Sequence, residues 1–147
     1  MKETRYDRLK LSRQLCFPLY AASREVIRQY RPYLDALDLT YTQYITMMVL
    51  WEHERQSVKD LGAQLFLDSG TLTPVLKSLE AKGYVRRTRG EQDERLLIVD
   101  LTEEGRALRD KAASVPQQMA SCIRLSREEA ATLYKLLYKL LRTENDL

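Results

Sequence analysis

Hydrophobic residues recur at intervals of three and four along most of the chain, and this spacing predicts a mainly helical protein. The first helical pattern covers residues 5–30 and is interrupted by Pro18. Because proline is tolerated in the first turn of a helix but kinks its interior, either a helix begins near Cys16 or a longer helix bends there. Pro32 is expected to end this element. A second, strongly apolar helix is predicted over residues 42–51.

The middle of the chain predicts two short helices joined by a few residues. After an expected turn over residues 52–56, Ser57 is a good N-cap for a helix that runs to about Phe66. Residues 68–70 are expected to form a tight turn. A second helix then continues to a basic residue and a glycine at positions 82–83, which is a common helix end. This order predicts a helix-turn-helix.

Two β-prone runs follow, at residues 84–88 and 95–101, and they predict a β-hairpin because only polar residues and glycine separate them. A hairpin directly after the second short helix is a wing. The predicted fold class is therefore mainly α with a small β-hairpin wing, and the winged helix-turn-helix is assigned to residues 41–101.

The last part of the chain carries apolar seams suited to a partner helix. Thr102 is expected to cap a helix that bends at Pro116, and a capping box at residues 125–130 precedes a terminal helix. The seam residues are Leu108, Ala112, Val115, Met119, Cys122, Leu133, Tyr134, Leu137, Tyr138 and Leu141. Residues 1–40 and 102–147 are thus expected to form a helical dimerisation region, within one compact domain. Alternatively, these helices pack on their own core.

Composition narrows the class of protein. Only 5 Gly and 4 Pro in 147 residues argue against an all-β fold. No apolar run approaches the roughly 20 residues of a membrane span, and the start, MKETRYDRLK, has no apolar core. A soluble cytoplasmic protein with no membrane partner is therefore expected. Two cysteines and one histidine cannot supply four thiolate or imidazole ligands to zinc, so neither a metal nor another cofactor is expected.

The net charge of +3 is too small to indicate a polyanion partner, but basic residues concentrate beside the second short helix. With three leucines facing inward, the outward face of this helix is small, polar and basic, which suits a major groove of double-stranded DNA. Four positive charges without an acid follow at residues 82–89. The residues expected to bind DNA here are Ser69, Thr71, Thr73, Pro74, Lys77, Arg86 and Arg87. The alternative is an ordinary basic, solvated surface.

Residues 57–105 resemble the winged helix-turn-helix of the MarR family of bacterial repressors. The motifs that carry the resemblance are LDSGTLTPVLKSLEAKGYVRR, DER at 93–95 and LTEEG at 101–105. The resemblance implies that the second helix enters the major groove, that Arg95 reaches the minor groove and that Asp93 orients it. A narrow minor groove attracts arginine strongly, which agrees with that role. The resemblance also implies a homodimer that binds an inverted-repeat operator.

Cys16 lies in LCFPLY, and Tyr20, Tyr30 and Tyr41 follow it in the sequence. The start of a helix favours a thiolate, and phenol hydroxyls hold an anion by hydrogen bonds, so these residues outline a peroxide-reactive thiol. The alternative is that Cys16 is a small buried hydrophobe and that the tyrosines are packing residues.

Nearly the whole chain resembles the organic-hydroperoxide-responsive branch of MarR-type repressors, through QLCFPLY, LTYTQY, FLDSGTLTP and the spaced tyrosines. The resemblance implies that Cys16 is the peroxidatic sensor and that Tyr30 and Tyr41 reach it from the other subunit. It also implies that Cys122 is a resolving cysteine, which forms an intersubunit disulfide with Cys16. Alternatively, Cys122 is a plain seam residue. Pro18 departs from the aliphatic residue that is commoner in the family.

These observations predict a redox-sensing DNA-binding repressor, not an enzyme, which releases its operator when an organic hydroperoxide oxidises Cys16. Two alternatives stay open. A MarR-type repressor controlled by a small aromatic ligand would recover when the ligand is washed out, whereas a disulfide needs a thiol reductant. A thiol peroxidase would consume many equivalents of peroxide per chain, whereas a sensor consumes about one.

Overall fold

A computed structural model describes residues 4–141 of the chain. The α-helices are α1 (Cys16–Asp35), α2 (Tyr41–His53), α3 (Val58–Leu65), α4 (Ser69–Ala81), α5 (Glu103–Ala112), α6 (Val115–Ala120) and α7 (Arg127–Leu141), and the strands are β1 (Arg55–Ser57), β2 (Val85–Arg89) and β3 (Leu97–Leu101). Two 3-10 turns, Arg5–Leu9 and Leu11–Arg13, precede α1. The predicted class, mainly α with a small β wing, is confirmed. Across residues 4–141, no helix combines the length and apolar character that a membrane crossing requires.

The wing belongs to an antiparallel sheet of order β1-β3-β2. Val99 of β3 stands opposite Gln56 on one side and Arg87 on the other. The predicted hairpin is thus confirmed, but the turn expected over residues 52–56 is wrong. Helix α2 continues to His53, and β1 pairs with β3 as a third strand. Three residues are too few to show an alternating pattern, so this strand exists because β3 pairs with it.

Side-chain caps determine where the two helices of the helix-turn-helix begin. Ser57 caps α3 by accepting a backbone amide hydrogen bond at 3.0 Å, as predicted. Phe66 ends this helix in the left-handed conformation, with φ of 54°. Asp68 then caps α4 by accepting a backbone amide hydrogen bond at 2.7 Å, so the helix begins at Ser69. The tight turn expected over residues 68–70 is therefore wrong, since only its first residue lies outside α4.

Helix α1 begins at Cys16, so of the two possibilities that Pro18 allowed, a helix start near Cys16 is correct and a longer helix bent at Pro18 is not. Pro18 lies in the first turn, where its missing N–H breaks no helical hydrogen bond. Pro32 does not end the helix, which continues to Asp35, so that expectation is wrong. The chain beyond Pro32 buries Leu34 and Leu37, which are 2% and 8% exposed. Burial of two leucines contributes about 3–6 kcal/mol, which offsets the roughly 3 kcal/mol cost of an internal proline.

The core lies between α4, the sheet and the helices that flank them. Its fully buried apolar residues include Met47, Leu50, Leu61, Leu72, Leu76, Leu79 and Val99. The seam of α5 and α6 packs on this core, since Leu108, Val115 and Met119 are at most 5% exposed within the single chain. Within the single chain these seam residues find their partner helices in their own subunit, since α5 packs against α2 and α6 packs against α1. The bend predicted from Pro116 is confirmed by the break between α5 and α6.

Helix α7, by contrast, leaves its apolar residues exposed. Its start is a capping box, as predicted, in which Ser126 and Glu129 exchange hydrogen bonds of 2.8 and 3.1 Å. Leu133, Tyr134 and Leu140 are 44%, 63% and 67% exposed. The exposed apolar residues near the start of the chain are Leu9, Leu11, Leu15, Phe17 and Leu19. Two apolar surfaces therefore lie outside the core of the single chain.

Gly105 in α5 is expected not to tolerate a methyl group. A Cβ there would stand 2.2 Å from the carbonyl oxygen of Tyr84 and 2.8 Å from Cδ1 of Leu101. The Tyr84 oxygen accepts the amide of Thr102 at 3.1 Å, and the Gly105 carbonyl accepts the Trp51 indole at 2.8 Å, so neither side yields easily. Gly105→Ala is expected to lower the free energy of unfolding by about 1–3 kcal/mol, measured by calorimetry.

Gly70→Ala is the matched control for that substitution. Its Cβ would meet nothing nearer than Oδ1 of Asp68 at 3.3 Å, and alanine favours the helix in which it lies. A Tm for Gly105→Ala no lower than that of the control would contradict the close approach of α5 to the wing.

Candidate DNA-binding surface and thiol sites

The outward face of α4 carries the residues that were predicted to enter a DNA groove. Ser69, Thr71, Pro74 and Lys77 are exposed, and the three leucines of the opposite face are fully buried. Thr73 is half-buried and donates its hydroxyl to the carbonyl of Ser69 at 2.7 Å. The structure thus brings all five predicted residues of this helix onto one surface of short side chains and a single lysine.

Gln43 on α2 fixes the C-terminal half of α4. Its side chain is 6% exposed, and its amide donates to Oγ of Ser78 at 2.9 Å. Its carbonyl oxygen accepts from Nζ of Lys82 at 3.2 Å and from the amide of Thr40 at 3.1 Å. Ser78 of α4 is half-buried in this network. Sequence reasoning missed Gln43, although a polar residue within a strongly apolar helix was the available signal.

The wing tip presents Arg95 to solvent, beside Asp93. The Arg95 side chain is 92% exposed, and its Nε donates to Oδ1 of Asp93 at 3.2 Å. The same carboxylate oxygen accepts the backbone amide of Arg95 at 3.0 Å, so Asp93 restrains both the backbone and the guanidinium. The structure therefore brings these two predicted residues together, with the guanidinium directed outward.

Arg87 has a different environment from the other wing arginines. It donates to Oε1 of Glu80 on α4 at 3.0 and 3.3 Å, and its backbone amide donates to the other carboxylate oxygen at 3.0 Å. These hydrogen bonds hold the pKa of Glu80 below its usual range, so the link is intact at neutral pH and weakens as acidification protonates the carboxylate. Arg86 and Arg89 are exposed. Arg87 thus joins α4 to the wing, while its neighbours face solvent.

Cys16 is exposed at the first residue of α1. Tyr20 follows one turn later and accepts a hydrogen bond from Nη1 of Arg24 at 3.4 Å. In the single chain, Cys16 is therefore not the small buried hydrophobic residue of the alternative interpretation.

Tyr30 and Tyr41 form an aromatic cluster at the other end of α1. Their ring centroids are 5.0 Å apart, and Tyr44 lies 5.8 Å from Tyr30. Burial raises the pKa of both Tyr30 and Tyr41, so both phenols remain hydrogen-bond donors well above neutral pH. Tyr30 is 14 residues beyond Cys16 on one helix, which separates their backbones by about 21 Å. Within one chain, these tyrosines and Cys16 are therefore not brought together.

Cys122 follows α6 and contacts Tyr33, a residue that sequence reasoning missed. The Tyr33 Oη and Cys122 Sγ atoms are 3.5 Å apart, and this contact raises the pKa of Tyr33. The thiol also donates to the carbonyl of Gln118 at 3.6 Å. The signal in the sequence was the spacing of Tyr30 and Tyr33, which places two phenols on one face of α1.

The two cysteines of one chain lie at opposite ends of α1. Tyr33, beside Cys122, is 17 residues beyond Cys16 on that helix, a separation of about 25 Å along the axis. A disulfide requires Cα atoms within about 7 Å. The helix therefore prevents an intrachain disulfide in this conformation.

Comparisons with known proteins agree with this architecture. A family model described as Transcriptional regulator SarA/Rot matches residues 28–112. The organic hydroperoxide resistance transcriptional regulator of Bacillus subtilis is 48% identical over 141 residues, 96% of this chain and 96% of that protein. The structure of a mutant MarR from E. coli complexed with operator DNA has a TM-score of 0.76 and 26% identity, covering 95% of this chain and 100% of that one.

Two structures of AbfR, a protein of Staphylococcus epidermidis, are similar as well. Reduced AbfR bound to DNA has a TM-score of 0.77 and 34% identity, covering 92% of this chain and 94% of that one. The disulfide-formed protein has a TM-score of 0.64 with the same 34% identity, covering 92% of this chain and 96% of that one. The present conformation therefore resembles the reduced, DNA-bound structure more closely.

Proposed function

This chain belongs to the MarR family of winged helix-turn-helix transcriptional regulators, and on that premise we propose that it is a cytoplasmic repressor controlled by organic hydroperoxides. The observation that carries the redox part is the placement of the cysteines. Cys16 is exposed at the start of α1, and Cys122 lies beside the end of the same helix. Each cysteine can therefore meet its counterpart only in another subunit.

The repressor binds double-stranded DNA through α4 and the wing. The short side chains of α4 and Lys77 enter the major groove, and Arg95, oriented by Asp93, reaches the minor groove. Arg86 adds charge for the phosphates, and Arg87 keeps the wing in register with α4 through Glu80. The remaining DNA-binding residues in this proposal are Ser69, Thr71, Thr73 and Pro74.

The functional unit is a homodimer on an inverted-repeat operator. The dimerisation region comprises residues 1–40 and 102–147, and the winged region comprises residues 41–101. Support comes from the exposed apolar residues of α7 and of the segment before α1, which a second copy would bury. Within this region α5 and α6 serve the core of their own subunit, so the interface is assigned to the two outer surfaces.

Oxidation proceeds in two steps. The Cys16 thiolate attacks the terminal oxygen of the hydroperoxide, the O–O bond breaks, and an alcohol leaves with one proton, so Cys16 becomes a sulfenic acid. Tyr20 of the same subunit, with Tyr30 and Tyr41 of the other, supplies hydroxyl donors to the reacting sulfur. The Cys122 thiolate of the other subunit then attacks this sulfur and displaces hydroxide, which leaves as water. The disulfide draws α1 of one subunit toward α6 of the other and moves the winged modules out of groove register.

Complementary single-cysteine subunits test this pairing. Cys16→Ser and Cys122→Ser chains are mixed, refolded together, treated with one equivalent of cumene hydroperoxide and run on a non-reducing gel. Mixed dimers are expected to crosslink, because one subunit supplies Cys16 and the other supplies Cys122. Each variant alone is the control and is expected to stay at monomer size. Wild-type protein oxidised without a crosslinked band would contradict the pairing.

The two competing functions are separated by reversal and turnover. A repressor that answers to an aromatic ligand would recover DNA binding on dialysis, whereas the disulfide form recovers only with a thiol reductant. A thiol peroxidase would continue to consume cumene hydroperoxide in the presence of reductant at many equivalents per chain. The sensor is expected to consume about one equivalent per Cys16 and then stop when no reductant is present, and with reductant to continue only as fast as the reductant reopens its disulfide.

A further inference from the structure

The contact between Tyr33 and Cys122 joins the sensor helix α1 to the segment that carries the second cysteine. Building on the function proposed above, we propose that Tyr33 is the positioning residue for the resolving thiol. Its hydroxyl holds Cys122 Sγ in place and supplies the hydrogen bond that the attacking thiolate keeps. The two atoms are 3.5 Å apart, within the reach of a sulfur hydrogen bond.

The surroundings of Cys122 suit both protonation states of the sulfur. As a thiol, Sγ donates to the carbonyl of Gln118 at 3.6 Å and accepts from Tyr33. As a thiolate, it has no proton to donate, and the phenol is the donor that remains. The hydrogen bond with Cys122, and after it the negative charge of that sulfur, raises the pKa of Tyr33, so the phenol stays protonated when the thiolate forms.

The position of Tyr33 on α1 places this thiol where the first cysteine is expected to arrive. Tyr30 and Tyr33 are three residues apart, so they share a helix face and are separated by about 4.5 Å along the axis. In the proposed function Tyr30 contacts Cys16 of the partner subunit. One face of α1 therefore presents one phenol to each sulfur of the future disulfide.

The proposed role of Tyr33 concerns only the second step, in which the disulfide forms. The Cys122 thiolate attacks the Cys16 sulfenic sulfur, the S–S bond forms, the S–O bond breaks, and hydroxide takes a proton to leave as water. No further oxidant is consumed, because the hydroperoxide has already oxidised Cys16. The hydrogen bond from Tyr33 weakens when the sulfur loses its charge in the disulfide.

Tyr33→Phe tests the role by separating the two steps. The dimer is mixed with cumene hydroperoxide, quenched at intervals, and measured for Cys16 sulfenic acid by mass spectrometry and for the crosslink on a non-reducing gel. Sulfenic acid is expected to form at the wild-type rate. The crosslink is expected to form about threefold to tenfold more slowly, the effect of one net hydrogen bond. Tyr84→Phe, which removes a phenol hydroxyl in the winged region, outside both this contact and the dimerisation region, is the control and is expected to leave both rates unchanged.

A spectroscopic signature distinguishes this role from simple packing. Phenolate absorbance is titrated in wild-type and Cys122→Ser protein, with Tyr33→Phe identifying the Tyr33 signal by difference. Tyr33 is expected to ionise at lower pH in Cys122→Ser, because the hydrogen bond to the sulfur and the negative charge of the thiolate, which both oppose its ionisation, are gone. This measurement needs only folded, reduced protein, so it depends neither on the hydroperoxide nor on formation of the crosslink.

The outcomes separate this inference from the proposed function. Crosslinking of Tyr33→Phe at the wild-type rate, or an unchanged Tyr33 titration in Cys122→Ser, would overturn the role of Tyr33 and leave the disulfide switch standing. Absence of Cys16 oxidation in the wild type would overturn the proposed function and this inference together.

Discussion

Replacing Cys16 by serine is expected to leave DNA binding intact and to abolish its release by an organic hydroperoxide. The residue is exposed at the start of α1 and is not one of the residues proposed to bind DNA, so the substitution removes the sulfur and leaves those residues in place. In the wild type, oxidation is expected to weaken operator affinity by about 10-fold to 100-fold, the usual range of coupling between two sites. In Cys16→Ser the ratio of the two affinities is expected to be close to one.

The measurement is fluorescence anisotropy of a labelled operator, with and without one equivalent of cumene hydroperoxide. Cys122→Ser is the informative companion, since it keeps the first oxidation step and lacks the second. If release requires the disulfide, this variant stays bound longer, although Cys16 is oxidised. Peroxide-driven release from Cys16→Ser would contradict the thiol mechanism and favour a ligand that acts without covalent chemistry.

Removing the guanidinium of Arg95 is expected to cause the largest loss of DNA affinity among single substitutions in the wing. Its side chain is 92% exposed and restrained by Asp93, so little free energy is spent in ordering it on DNA. A base-edge or narrow-groove arginine contributes about 1–3 kcal/mol, and a dimer carries two copies. Arg95→Ala is therefore expected to weaken operator binding roughly 30-fold or more, measured by titration at fixed salt.

Two variants keep that result interpretable. Lys111→Ala removes an exposed charge on α5, which is not among the residues proposed to bind DNA, and is expected to change affinity by less than about threefold. Asp93→Asn retains the arginine and weakens its restraint, so its loss should be smaller than that of Arg95→Ala. An Arg95→Ala protein that binds as tightly as the Lys111→Ala control would exclude the wing tip from DNA contact.

Local chemistry explains why much of the fold was predictable from the sequence. The cap at Ser57, the leucine stripe of α4 and the hairpin depend on neighbouring residues, and the structure has all of them. The errors concern interactions between distant segments. Pro32 stays within α1 because burial beyond it offsets the lost hydrogen bond, and β1 forms because β3 pairs with it.

The thiol sites show the same division. The motif around Cys16 places it at the start of a helix, as the sequence allowed, and the role of Tyr30 and Tyr41 toward Cys16 of the other subunit stays a prediction. The contacts of Cys122 could not be predicted from the sequence, because Tyr33 is 89 positions away along the chain. The apolar spacing around Cys122 also does not distinguish a residue that packs on its own core from one that packs on another subunit. Spacing identifies the apolar side of a helix but not the surface that covers it.

Because of the length of α1, the proposed response to peroxide also depends on whether the dimer has assembled. Since the two cysteines of one subunit cannot form a disulfide with each other, oxidation by peroxide leads to a disulfide only in subunits that are already paired. A dissociated subunit would stop at the sulfenic acid, a state exposed to further, irreversible oxidation. The helix thus works as a spacer: the reversible disulfide can form only in a dimer, and monomeric subunits are left open to irreversible inactivation.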